Sequence, residues 1–269
     1  MSKGTRPIDA PEEVADVDWE RRWGRPVGVL AILSVVGTIA AVPVAASDIA
    51  RDFEKQNDKT VLINSGLSGD GQFTAMVLRV LCILVLIPFA LYTFRAIRDR
   101  GNESYVRYIP ILGLAAIAVV SISTAIGFLD QRDAGREFVA LAEPMQTLAR
   151  AEELTDDLTK SFAAYFNVFG GFLFGLWISM TAAELMRVGL TTRFLGLFGL
   201  GAGITTVIGS IFPFPISSAL FIAWLGSVGV LAFGYWPGGR PLAWQTGRAE
   251  SPMETEADGQ FKRRGSESV

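Results

Sequence analysis

The sequence predicts an all-α polytopic membrane protein, a six-helix transmembrane bundle with both termini cytoplasmic, and three observations predict it. Half of the 269 residues are hydrophobic, with a mean hydropathy of +0.37. The apolar residues gather into long runs instead of recurring at the spacing of a soluble core. Six runs reach the roughly 20 residues that a helix needs to cross a bilayer core. They are 26–47, 73–94, 108–129, 162–186, 194–212 and 216–236. The net charge of −3 and the lack of a basic stripe indicate no nucleic-acid partner.

Residues 1–25 form an N-terminal tail carrying six carboxylates, among them Glu12, Glu13 and Glu20. Such a tail is too long and acidic for the n-region of a signal peptide, so the first span reads as an uncleaved anchor despite the small residues at Val44–Ser47. Residues 48–72 form the first outer loop. It opens with Ile49 and Phe53 on one helical face and closes in the turn-prone "NSGLSGDG". The second span contains Pro88, and Pro110 lies near the start of the third; both predict local bends.

The second outer loop, 130–161, carries an amphipathic stripe of Phe138, Leu141, Met145 and Leu148, interrupted by Pro144. That stripe predicts a segment lying on the membrane surface or against the first outer loop. Its acidic cluster, Glu152, Glu153, Asp156 and Asp157, lacks the glycine turn and ligand order of a calcium loop and reads as a solvated, capping segment. Spans four and five are joined by "RVGLTTR" and spans five and six by "PFP". The tail 237–269 is rich in Gly, Pro, Ser and charge, and is expected to be disordered. Its late "KRR" offers a weak contact with anionic lipid.

Sidedness follows from charge, because Lys and Arg collect on the cytoplasmic side of spanning helices. Of the 24 Lys and Arg residues, sixteen fall in segments on the side of the termini and seven in the two outer loops. The remaining one, Arg79, lies inside the second span, roughly 9 Å below the outer boundary at 1.5 Å per residue.

Three readings of Arg79 stand. It snorkels to the outer headgroups. Or it pairs within a structural cluster, with Asp130 the preferred partner and Asn167, Thr124, Thr205 and Thr206 at similar depth. Or that cluster opens to water as an anion-binding vestibule.

Glu184, near the inner end of span four, stands three residues before Arg187, which predicts a local interfacial pair rather than a proton relay. In spans four and five, Gly171 with Gly175 and Gly199 with Gly203 form GxxxG pairs, the spacing of close helix approach. Packing within one subunit is the expected use of these glycines, and a homo-oligomer face the alternative.

There is no histidine, and the single cysteine, Cys82, lies in an apolar run. These facts remove Ser-His-Asp catalysis, most zinc and haem sites, and any intrachain disulfide. No Gly-x-Ser-x-Gly and no paired intramembrane carboxylates appear. No catalytic residue, cofactor or metal ligand is therefore assigned, and the chain is not expected to be an enzyme.

The text "AAELMRVGLTTRFLGLFGLGAG", followed by "GYWPGGRPLAWQTG", resembles actinobacterial multi-span membrane proteins of unassigned function. Their last spans carry a "GL-x-x-RFLG" turn and end in a "WPGGRPPAWETG"-like tail, from which Leu242 and Gln245 depart. The resemblance covers the last quarter of the chain. It implies a bacterial membrane protein and carries over no site residue.

Two functions lead. One is a non-catalytic protein of the cell membrane that holds or regulates a partner through its soluble ends. The other is a small-solute or ion transporter or channel with an outer-half polar cluster around Arg79. Three spans precede the second outer loop and three follow, the layout of an inverted repeat, although the halves share no visible sequence.

Overall fold

The computed structural model describes residues 15–46, 57–67, 70–101, 104–212, 216–236 and 240–250. Among the described residues there is no strand, and six helices are long and apolar enough to cross a membrane. The first span is α1 (Val17–Ala46). A cap helix, α2 (Asp58–Leu67), leads to the second span, built from α3 (Asp70–Leu84) and α4 (Leu86–Arg98). Next come α5 (Ile109–Ala140), a second cap helix α6 (Leu148–Thr159), α7 (Phe162–Arg187), α8 (Arg193–Ile211) and α9 (Ile216–Phe233). A short α10 (Ala243–Thr246) ends the described chain.

The spans form a ring in chain order. α1 packs on α3 and α4, those on α5, α5 on α7, α7 on α8, and α8 on α9, which returns to α1. The ring has a tail end, where α1 starts and α10 lies, and a loop end, covered by α2 and α6 on the extension of α5.

Local chemistry sets the helix starts. Asp16, Thr147, Ser161 and Thr192 each accept a backbone N–H of the first helical turn, at 2.9, 3.2, 3.2 and 3.3 Å. The second span breaks at Val85, three residues before Pro88, which has no N–H to donate one turn back. Pro110 makes no such break. It sits in the first turn of α5, where a missing N–H costs nothing, and the irregular stretch precedes it as the 3-10 turn Ser104–Tyr108.

Large side chains fill the middle of the ring, with Phe89, Ile117, Trp177 and Trp224 almost wholly buried. Each indole needs a glycine opposite. A Cβ at Gly113 would lie 2.5 Å from Trp177 Nε1, and one at Gly199 would lie 2.2 Å from Trp224 Nε1. The most extensive helix contact is α7 on α8: a Cβ on Gly175 would stand 2.6 Å from the Gly203 carbonyl, and one on Gly171 2.6 Å from Ser210 Cβ. Within this chain, then, Gly171, Gly175 and Gly203 hold α7 to α8, while Gly199 serves α9 and Ala182 of α7.

Three expectations need correction. "NSGL", read as turn-prone, is helical as the end of α2, because Gly66 crosses Gly135 of α5 backbone to backbone; a Cβ on Gly66 would lie 2.3 Å from the Gly135 carbonyl. The segment beyond span three does lie against the first outer loop, but it starts as an unbroken continuation of α5, and of its stripe Phe138 is buried against Leu62, Ala151 and Leu154. Met145 and Leu148 instead point outward. The tail, read as disordered from 237, is ordered over 240–250, where Ala243 and Trp244 are buried. The Ile49–Phe53 face, the "PFP" turn and "KRR" lie outside the described residues.

Candidate functional site

Three helices each turn one polar face toward a common space at the loop end. On α3 the face is Gln72, Met76 and Arg79; on α5 it is Ser123, Thr124, Gly127, Asp130 and Gln131; on α7 it is Ala163, Ala164 and Asn167. Spacings of three and four put each set on one side of its helix. Asn64 and Ser65 of α2 and Leu158 of α6 complete a cavity of about 510 Å³. From Asp70 to Arg79 is nine residues, so the cavity reaches roughly 13 Å down the second span.

The charges in this cavity are not spent on each other. No carboxylate oxygen lies within ion-pair distance of Arg79 among the described residues, so the expected Arg79–Asp130 pair is not formed, although both line the same space. Asn167 likewise faces the cavity, and its side chain makes no hydrogen bond among the described residues. Ser123 and Thr124 donate their hydroxyls to the Val120 carbonyl, at 3.1 and 2.7 Å, which leaves their oxygen lone pairs as acceptors. The site therefore offers one guanidinium, one carboxylate and several neutral polar groups. That set suits recognition of a small charged or zwitterionic solute.

Thr205 and Thr206 do not belong to it. They donate to carbonyls of their own helix, Thr205 to Gly201 and Ala202 and Thr206 to Ala202 at 2.7 Å. Depth along a span is readable from sequence, but the direction a residue faces around the ring is not. Gln72, Ser123, Gly127 and Gln131 were missed as cavity residues, yet helical spacing carried the signal: Gln72 lies seven residues before Arg79, Ser123 and Gly127 lie seven and three before Asp130, and Gln131 lies four after Gly127.

Below the cavity the ring is closed, and its tail end is fastened. Glu184 binds Arg187, with Nε to Oε2 at 2.8 Å, and accepts a hydrogen bond from Tyr105. Deeper lies a buried pair, Glu20 of α1 with Arg100, whose side chains are 3% and 0% exposed. Arg100 also donates to the Ala243 carbonyl at 2.7 Å and stands above Trp244. Trp19, Tyr92 and Trp244 stack in series, with centroids 5.5 and 6.2 Å apart. Trp244 Nε1 donates to the Leu190 carbonyl at 2.8 Å, which joins the "RPLAWQTG" tail to the "GLTTRFLG" turn. No sequence pattern pointed to this clasp, because its parts come from four separated segments.

Two acidic residues of α6 are engaged locally. Asp156 binds Lys160, and Glu153 binds Arg150, which also takes Glu137 of α5. These carboxylates raise the pKa of Lys160 and Arg150 above their ordinary values. Among the described residues, no group of three or more His, Cys, Asp or Glu is placed to hold a metal ion.

The family model for a domain of unknown function, DUF4386, matches residues 27–236. No curated protein and no solved structure matches. The matched stretch contains the whole cavity but excludes Trp19, Glu20 and Trp244 of the clasp.

Proposed function

The chain belongs to the DUF4386 family, and from its site geometry we propose that it is a non-catalytic, multi-pass protein of the bacterial cell membrane that binds a small anionic or zwitterionic solute, as a transporter does. Both termini are cytoplasmic in this reading, which follows the excess of Lys and Arg at the tail end and puts the cavity outside. One observation carries it: Arg79 lines a polar cavity and forms no ion pair among the described residues, not even with Asp130 of the same cavity. An arginine within a span is costly unless it has a partner, and a solute carboxylate or phosphate supplies one. The break at Val85, six residues from Arg79, places an interrupted helix beside the site, as transporter sites have. The packed core below is then the closed side of an outward-facing state.

A second reading, in which the protein holds or regulates a partner, rests on the loop end. There Met145 and Leu148 are 63% and 46% exposed at the edge of α6, an apolar rim open to another protein.

The test is thermal stabilisation in detergent by a panel of amino acids, dicarboxylates and inorganic phosphate, followed by flux into liposomes. A midpoint raised by one solute class in the wild type and unmoved in Arg79→Gln supports the site. A charged-hydrogen-bond contribution predicts affinity lost about tenfold or more in that variant. A panel without effect, or one that stabilises Arg79→Gln equally, removes this reading. A second protein copurifying in fixed ratio then favours the partner-holding one.

A further inference from the structure

At the tail end a second cavity, about 830 Å³, is lined by Arg21, Arg22 and Arg25 of α1, by Phe233, Gly234 and Tyr235 at the end of α9, and by Arg240. Four guanidiniums thus face one space. Arg21, Arg22 and Arg25 are exposed, and none forms an ion pair among the described residues.

Arg240 is held in place and left incomplete. Gly234, with φ +110°, turns the chain back under α9, and the Arg240 Nη2 donates to the Ala232 carbonyl at 2.7 Å. Its Nε is buried and has no hydrogen-bond partner. A cluster of like charges that, among the described residues, shares no counter-ion repels itself unless an anion sits within it. The fork of a guanidinium matches phosphate oxygens, and several around one space suit a phosphate better than a carboxylate.

Location decides the source of that phosphate. The arginines lie where the apolar part of α1 begins, and Trp23 and Tyr235 beside them are 49% and 72% exposed. Exposed aromatic rings of this kind mark the headgroup level of a bilayer. We infer that this cavity seats the phosphate headgroup of an anionic glycerophospholipid from the leaflet at the tail end, with its acyl chains lying along α1 and α9. Anionic lipid is concentrated in the cytoplasmic leaflet, the side on which the excess of Lys and Arg puts this end.

The experiment counts lipids retained by the detergent-purified full chain in native mass spectrometry, using phosphatidylglycerol, phosphatidylcholine and glycerol 3-phosphate as probes. Phosphatidylglycerol is expected to bind at one site well above phosphatidylcholine. Arg21→Gln with Arg25→Gln is expected to weaken it about 25-fold, taking each surface arginine as worth about fivefold. Arg21→Lys with Arg25→Lys should keep most of the binding, and Arg98→Gln with Arg107→Gln, at the same end but outside the cavity, should keep all of it. Lipid-free thermal midpoints equal to wild type show that the variants fold; if the Gln pair does not fold, the Lys pair and the Arg98/Arg107 control decide. Equal retention of the two lipids, or phosphatidylglycerol binding that survives the Gln pair, overturns the inference. Glycerol 3-phosphate binding as tightly as the lipid, with the same arginine dependence, also overturns it by making the seat one for a soluble phosphate ester.

Discussion

Replacing Arg100 by leucine tests the clasp. In the native chain its guanidinium is wholly buried, paired with both oxygens of Glu20, and bonded to the carbonyls of Ala96 at 3.0 Å and Ala243 at 2.7 Å. The leucine side chain meets none of these demands. Glu20, only 3% exposed, is left as a charge without a partner, and removing one member of a buried pair costs about 3–5 kcal/mol. Two consequences separate this from ordinary destabilisation. The tail loses its anchor at Ala243, so trypsin should cut after Arg248 much faster than in the wild type; the Arg240–Pro241 bond resists it in both. Replacing both partners, Glu20→Leu with Arg100→Leu, should recover most of the loss, since an apolar pair has no charge to strand. The assays are the unfolding midpoint in detergent and the time course of proteolysis. If Arg100→Leu costs less than about 1 kcal/mol, or if the double variant is worse than the single one, the reasoning is refuted.

Gly203→Ala would put a methyl 2.2 Å from Ser179 Oγ and 2.6 Å from the Gly175 carbonyl, so α7 and α8 must separate, at about 1–3 kcal/mol. Gly201→Ala, two residues earlier with nothing within 4 Å of the new methyl, should be neutral or gain up to about 1 kcal/mol; equal losses at the two positions would contradict the assigned helix contact. Gly66→Ala should loosen α2 from α5 and speed hydrogen exchange in α2 while the spans keep theirs, because its methyl would meet backbone 2.3 Å away. Trp244→Phe keeps the stack on Tyr92 but removes the bond to Leu190, and should lower stability by about 1 kcal/mol in the same unfolding assay. Cys82, buried beside Gly37, should react with a maleimide in the folded protein far more slowly than after denaturation.

The six spans were legible because the length of an apolar run is a one-dimensional property, and the bilayer reads it the same way. Their ends were less so. α5 continues from Leu129 to Ala140 because backbone hydrogen bonding does not stop where hydropathy falls, and the buried Phe138 rewards the extra turns. "NSGL" looked like a linker because glycine is permissive in isolation; set against Gly135, Gly66 is the residue that allows a helix to dock. The candidate site divided along the same line. Arg79, Asp130, Thr124 and Asn167 share a cavity because depth and face both match, whereas Thr205 and Thr206 match in depth alone. The clasp was illegible for another reason. Glu20, Arg100 and Trp244 are far apart in the chain, and none is unusual in its own segment.

The ring closes on its own ends: α1 packs against α9, and the backbone N–H of Ala15 donates to the Gly247 carbonyl at 2.9 Å. A ribosome makes α1 well before it makes α9, since Ala46 and Ile216 are 170 positions apart. The first span therefore waits in the bilayer, with the face meant for α9 turned to lipid or to an insertion chaperone, until α9 has emerged. Closure is then a late step in biogenesis. Chains halted before Trp244 should be the ones that membrane proteases find.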